Sequence, residues 1–345
     1  MTRQLVFTAL LACAAARGAF ADEPALPLQA VADIPLGGNT TRLDYASIDA
    51  ARHLLFIAHL GDGAVIAVDT EAQRVVVRID GISKVHGVLV VPGLGKVYAS
   101  ATGTNEIVAI DEGSFKITAR MPGGVYPDGM AYVPELYKLY VSDELGHTET
   151  VIDVRSNKRV ATIPLGGEVG NTQYDSVSKH IFVNVQTRRQ LIEIDPKSDQ
   201  VIARIDLPGA EGNHGLLIDA QSRRAFIACE GNNTLLVLDL ESKKIIASFD
   251  VGKEPDVLAY DARLHTLYVA GEAGVISLFK VDSSQTSKIG EGVLGPNAHV
   301  VAVDPVTHKS YFPIKDLGGK TILRIMMPAT PSAAAMMPTT PSSGP

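Results

Sequence analysis

Six residues with acid–base or metal-ligating side chains recur at one phase of the chain: Asp44, His86, Asp128, His214, Asp256 and His299. Each stands twelve residues before an aromatic, at Phe56, Tyr98, Tyr140, Phe226, Tyr268 and Tyr311. A seventh position of the same phase, Gly170 before Phe182, has no side chain. Read from Asp256 to the end of the chain and on from its start, the series runs Asp256, His299, Asp44, His86, Asp128. Carboxylates alternating with imidazoles suit a divalent ion with mixed nitrogen and oxygen ligands, or a proton-transfer pair. Each residue alone is more simply a hydrogen-bonding member of its own repeat. His86 and His214 are both followed by glycine, as a tight turn demands. It is the set that points to a site.

The element that places these residues is a repeat. The aromatics follow one another at steps of 42 to 44 residues, and so does an aspartate series at Asp69, Asp111, Asp153, Asp195, Asp239 and Asp282. Each unit has room for four short strands, the size of a propeller blade. Segments 88–91 and 235–238 are apolar on both faces, as strands sandwiched between neighbouring sheets must be. The aspartate ends the third strand, where its carboxylate closes an Asx-type turn into the fourth. Seven aromatics predict seven blades. The last lacks a fourth strand, and residues 28–36 (LQAVADIPL) match the fourth-strand pattern of 159–165 (RVATIPL). The expected fold is therefore an all-β, seven-bladed β-propeller of four-stranded blades over residues 22–327, with the N-terminal strand closing the last blade.

In a propeller the inner strands line a channel, and the six phase residues fall at the starts of the inner strands, around one mouth. The loops between second and third strands open on the same face. They add His59, Asp143, Glu144, Glu230 and Glu272 as secondary candidates. Arg42, two residues before Asp44, is a cation able to hold an anionic ligand.

The repeats also resemble a known family. Tyr98-Ala99-Ser100, Tyr140-Val141-Ser142, Phe182-Val183-Asn184 and Tyr268-Val269-Ala270 stand where YVTN-repeat (YncE-like) propellers carry Tyr-Val-Thr-Asn. Ile194-Asp195 fits the third-strand ending, whereas Pro208 and Gly209 at the end of the following strand are adjacent where the family spaces them by one residue. The motif is degenerate in every repeat, and Tyr311-Phe312-Pro313 departs most. The resemblance spans about residues 28–325. It implies an exported propeller and names no reaction.

Composition narrows the classes. With 46% hydrophobic and 20% charged residues in 345, the chain builds a large core. Thirty-one Lys and Arg against 38 Asp and Glu give a net charge of -7, which argues against a nucleic-acid partner. The absence of tryptophan argues against WD40-type and quinoprotein blades docked by that residue. Residues 1–21 read as a signal peptide: Arg3, an apolar run over 5–12, then Ala19-Phe20-Ala21 before Asp22. The product is periplasmic or secreted, and the alternative is a lipoprotein anchored through Cys13. The apolar run is too short to span a bilayer, and no later segment qualifies. Beyond the signal only Cys229 remains, so the fold holds without a disulfide. Residues 328–345, rich in Pro, Ser, Thr and Met, read as a disordered tail. No phosphate loop, nucleophile elbow or haem-attachment motif occurs.

The expected function is a monomeric binding propeller that takes a small molecule, a divalent metal or a protein partner at its mouth. The alternatives are a metal-dependent lactonase, hydrolase or lyase using the Asp/His ring, and a non-catalytic protein-docking scaffold.

Overall fold

The computed structural model describes residues 25–283 and 285–329. Seven four-stranded antiparallel sheets follow one another along the chain. The inner strands are Ala46–Asp49, Val85–Val91, Pro127–Val133, Val169–Asp175, Asn213–Asp219, Pro255–Asp261 and Ala302–Val303. The second and third strands are buried on both faces, as in Leu54–His59 and Ala64–Asp69, because each sheet is covered by a neighbour on either side. The outer strands alternate, as Lys244–Asp250 does, because only one of their faces is covered.

The seven recurring aromatics are all buried. Each lies in a cluster that joins its own blade to a neighbour. Phe56 packs with Val85 and Val97 of the second blade, Tyr140 with Ile181 and Val183 of the fourth, and Tyr311 with Leu55 and Ile57 of the first. The repeat period is therefore the period of the blade seams.

The aspartate series does the local work expected of it. Asp69 Oδ1 accepts from the backbone N–H groups of Glu71 and Ala72, Asp153 from Arg155 and Ser156, and Asp195 from Lys197. A second series closes the inner-to-second turns the same way, at Asp49, Asp219, Asp261 and Asp304. Arginines on outer strands then clasp the connections between blades. Arg120 donates to the carbonyl of Gly81 at 2.8 Å, and Arg204 to that of Leu165 at 3.1 Å. These connections lead into the inner strands that carry the phase residues.

The ring closes as the sequence predicts. Leu28–Pro35 pairs antiparallel with Ile322–Pro328 as the outer strand of the last blade. Arg324 grips Asp33 with two bonds of 2.8 and 2.7 Å across that pair. The chain reaches this strand over the sixth blade, where Ala25 bridges Glu291 in parallel. Glycines admit it: a Cβ on Gly290 would stand 2.4 Å from Pro27 Cδ, and one on Gly292 2.9 Å from Leu26 Cβ.

Pro328 ends the last strand, and Ala329 N–H donates to Pro27. The ordered fold thus runs two residues into the stretch read as a tail. The signal segment with Cys13, and residues 330–345, lie outside the described residues. Cys229 is a free, buried thiol that burial pushes up to about 12, an inert form. No helix among the described residues is long and apolar enough to cross a membrane.

Candidate functional site

Five of the six phase residues, Asp44, His86, Asp128, His214 and Asp256, line one cavity of about 550 Å³ at the channel mouth. Arg42, Glu144, Glu230 and Glu272 line it with them. His299 lies behind the wall, fully buried, with Nε2 3.8 Å from Asp256 Oδ2 and Nδ1 3.8 Å from Glu272 Oε2. Two of the secondary candidates are elsewhere. His59 is not a cavity residue: its Nε2 meets Thr41 Oγ1 at 3.0 Å and its Nδ1 is 3.7 Å from Asp62, tying down a loop. Asp143 is consumed inside its own blade, accepting from Gly124 N–H, Thr148 and Thr150, each at 2.8 Å. Both close their second strands rather than standing in the loops that follow, and their side chains turn inward to partners of the fold.

The glycines after the histidines do not make tight turns. Gly87 and Gly215 lie within strands and are absent from the positive-φ positions. They are small because neighbouring inner strands converge. A Cβ on Gly87 would stand 2.2 Å from the Asp128 carbonyl oxygen, and one on Gly215 2.0 Å from that of Asp256. Gly170 fills the same need, with His214 O at 2.7 Å.

The hydrogen bonds assign lone pairs. His299 Nδ1 meets the Asn297 carbonyl at 3.1 Å, so Nδ1 carries the proton and Nε2 is left as an acceptor. That Nε2 is buried and has no hydrogen-bond partner. His86 Nδ1 donates to the Lys84 carbonyl at 3.0 Å in the same way, and Tyr126 OH lies 3.1 Å from its Nε2. His214 Nδ1 meets Gln186 Nε2 at 3.0 Å, while its Nε2 lies 3.7 Å from both Asp128 Oδ2 and Asp256 Oδ1. Tyr45 OH donates to Asn171 Oδ1, crossing the axis from the first blade to the fourth. The ring of Tyr45 floors the mouth and separates it from a narrower cavity of about 150 Å³ farther down the channel.

Charge is unevenly distributed. Among the cavity-lining residues seven carboxylates face two fixed cations, Arg42 and Lys84. Arg42 Nε donates to Asp44 at 3.0 Å, its Nη1 pairs with Glu272, and its Nη2 is 3.9 Å from Asp256. Burial opposes its charge, but Asp44 and Glu272 outweigh that and hold it ionised more firmly than usual. Burial raises Asp128 and Asp256 well above the usual carboxylate range, and Asp44 beside them adds to it. Burial, then Glu272, pushes Glu230 up to about 7. Burial lowers His86, His214 and His299, against the pull of the surrounding carboxylates, and so favours the neutral imidazole. Asp128 Oδ1 and Asp256 Oδ1 have no hydrogen-bond partner. Imidazole nitrogens and unpartnered carboxyl oxygens gathered around one mouth are the donor set of a cation site.

No protein-family model and no curated protein matches the chain. Among solved structures it is similar to Kuenenia stuttgartiensis Hydrazine Synthase, at 14% identity over 88% of this chain and 96% of that one, with a TM-score of 0.72. It is also similar to the RRP9 WD40 repeats, at 11% identity over 88% and 99%, with a TM-score of 0.73. The chain is a seven-bladed β-propeller. The likeness to WD40 repeats is one of fold: the missing tryptophan removes a docking residue, not the blade.

Sequence reasoning passed over several residues of the propeller's mouth: Tyr45, Lys84, Tyr126, Glu254, Asn171 and Gln186. A signal existed for some. Lys84, Tyr126, Glu254 and Asn297 all stand two residues before a phase residue, and all have positive φ, from 47° to 61°. That left-handed residue turns its carbonyl back onto the following histidine, which is how His86 and His299 are oriented. Asn171 and Gln186 gave no such signal, because their roles depend on partners in other strands.

Proposed function

We propose that this chain is an exported binding propeller of the YVTN-repeat type that holds a divalent metal ion at its channel mouth. The leader-like residues 1–21 and the Tyr-Val-Thr-Asn-like repeats support the family and the export. One observation carries the ligand. His299 Nε2 is fully buried, is left as a lone pair by the bond from Nδ1 to the Asn297 carbonyl, has no donor, and lies 3.8 Å from Asp256 Oδ2. Buried acceptors without a partner are rare, and an imidazole oriented through its other nitrogen is the usual state of a metal ligand. Asp256 and Glu272 complete the donor set. Nitrogen with oxygen ligands selects Zn(II), Mn(II), Co(II) or Fe(II) over calcium or copper(I). The reading is one of binding; a lactonase, hydrolase or lyase would further need an acid–base pair placed against a substrate.

Chelator-treated, dialysed protein titrated with Zn(II) in a calorimeter is expected to bind, and an Asp256→Asn, His299→Gln double variant that keeps its circular dichroism spectrum is expected not to. Absence of binding to the unmodified protein, or undiminished binding to the variant, overturns the proposal.

A further inference from the structure

The geometry points to two ions rather than one: a dinuclear metal centre bridged by the carboxylate of Asp256. This inference rests on the metal-binding reading above and goes beyond it in number and arrangement.

Two groups of donors meet at the mouth and share one residue. His214, Glu230 and Asp256 form the first, Asp256, Glu272 and His299 the second, and within each the donor atoms lie within 4.8 Å of one another. The two oxygens of Asp256 are divided between them. Oδ1 lies 3.7 Å from His214 Nε2, and Oδ2 lies 3.8 Å from His299 Nε2. A carboxylate that offers one oxygen to each of two imidazole-bearing groups is the bridging ligand of a paired-metal site, in which the ions stand about 3.5–4 Å apart.

The case does not rest on clustered acids alone. Asp256 is 4% exposed and His299 0%. Asp256 Oδ1 and His299 Nε2 each lack a hydrogen-bond partner, and each belongs to a different half of the pair.

The repeat explains how two half-sites arise. Glu230 and Glu272 each directly follow the second strand of their blades, at Arg224–Cys229 and Thr266–Gly271. His214, Asp256 and His299 share the inner-strand phase of three successive blades. Each half-site therefore takes an inner-strand residue and a loop glutamate from one blade, and the next inner-strand residue from the following blade. The two are copies of one arrangement, displaced by a blade, with imidazole and carboxylate exchanged at the ends. No other pair of adjacent blades carries that set, because the position of Glu230 and Glu272 is held by Leu60, Thr102, Gln186 and Lys315 in the first, second, fourth and seventh blades, and Glu144 of the third is followed by Gly170 in the fourth.

Three neighbours must adjust: Gln186, Arg42, and Asn297, whose Nδ2 donates to Glu272 Oε2 and must give up that bond. Ligation through His214 Nε2 requires a proton on Nδ1, so the Gln186 amide must turn its oxygen there, giving up the 3.3 Å bond from its Nε2 to the Val169 carbonyl. Arg42 pairs with Glu272 and approaches Asp256 Oδ2, so an ion in the second half-site competes with the guanidinium for the same oxygens. Asp44, bonded to Arg42 Nε, retains it when Glu272 turns to metal.

The test uses full-length protein after chelation, loaded with Mn(II). Metal analysis after gel filtration is expected to give two ions per chain, and the electron paramagnetic resonance spectrum to show exchange coupling between them. His214→Gln and His299→Gln are each expected to retain one uncoupled ion. Asp256→Asn, nearly isosteric and checked by circular dichroism, is expected to lose the coupling. One ion per chain, or two without coupling, overturns the bridged pair and leaves the single-ion reading standing. No bound ion overturns both.

Discussion

Glu112 shows what the fold does to a single ionisable group away from the mouth. It is fully buried just beyond the third strand of the second blade, neither carboxyl oxygen has a partner, and Arg52 Nη1 comes only to 3.9 Å. Burial, with Asp49 beside it, pushes its carboxyl from 4.5 up to about 7. Between those values the folded chain keeps a proton that the unfolded chain has released, so stability falls as pH rises through that window. Glu112→Gln is expected to remove the loss, gaining about 3 kcal/mol over the parent at pH 8 and nothing at pH 4. Parallel curves of melting temperature against pH for the two proteins would show that the group does not titrate there. Gly215 is the complementary case, where a missing atom matters. A methyl at that position would stand 2.0 Å from the Asp256 carbonyl oxygen, and backbone cannot yield as a flexible side chain can. Gly215→Ala is expected to cost about 1–3 kcal/mol in urea unfolding, and to weaken Zn(II) binding by displacing Asp256. A variant with unchanged midpoint and affinity would mean that the inner strands do not converge as described.

At the scale of elements, the strand Leu28–Pro35 holds the ring shut. It covers the edge of Ile322–Pro328, and Ile34 and Leu36 join the cluster shared by the last and first blades. Removing residues 1–40 exposes that edge and part of that cluster, and the product is expected to lose a single cooperative unfolding transition. Unfolding indistinguishable from that of the full chain would overturn the closure. The segment ahead of the strand is a separate device. Ala25, Leu26 and Pro27 lie against Gly290 and Gly292 of the sixth blade, so the chain straps one blade before completing the next. Gly292→Val is expected to lift the strap, with accelerated amide exchange over residues 25–27 in the mass spectrum while the inner strands keep their protection. Equal exchange rates in both proteins would show that the strap does not depend on that space.

At the scale of the whole molecule, seven seams of similar composition close into a ring, so no blade can open without breaking two of them. A ligand that grips two blades across their seam should therefore be felt by the entire fold. An ion held by the sixth and seventh blades at 100 times its dissociation constant is expected to add about 2.7 kcal/mol of stability by mass action. Thermal unfolding with and without chelator reads this directly, and the difference should vanish in the Asp256→Asn, His299→Gln variant. A chelator effect that persists in the variant would place the ion elsewhere.

The repeat period was enough to derive blade number, closure and the common height of Asp44, His86, Asp128, His214, Asp256 and His299. A repeat maps each phase onto one radius and one height, whatever the side chain. Period alone could not say which way a side chain points at that height. His59 and His299 are both buried histidines of the mouth face, yet one ties a loop to Thr41 and the other offers a lone pair to Asp256, because the groups packed around them differ. Nor could it pair residues across the ring. Tyr45 and Asn171 are 126 positions apart and meet only because seven blades of this twist close on one axis. The sequence by itself determined the ring and what stands on it. The tertiary structure alone decided which of those groups share a cavity, since that depends on azimuth, rotamer and the satisfaction of neighbouring donors, none of which is local in the chain.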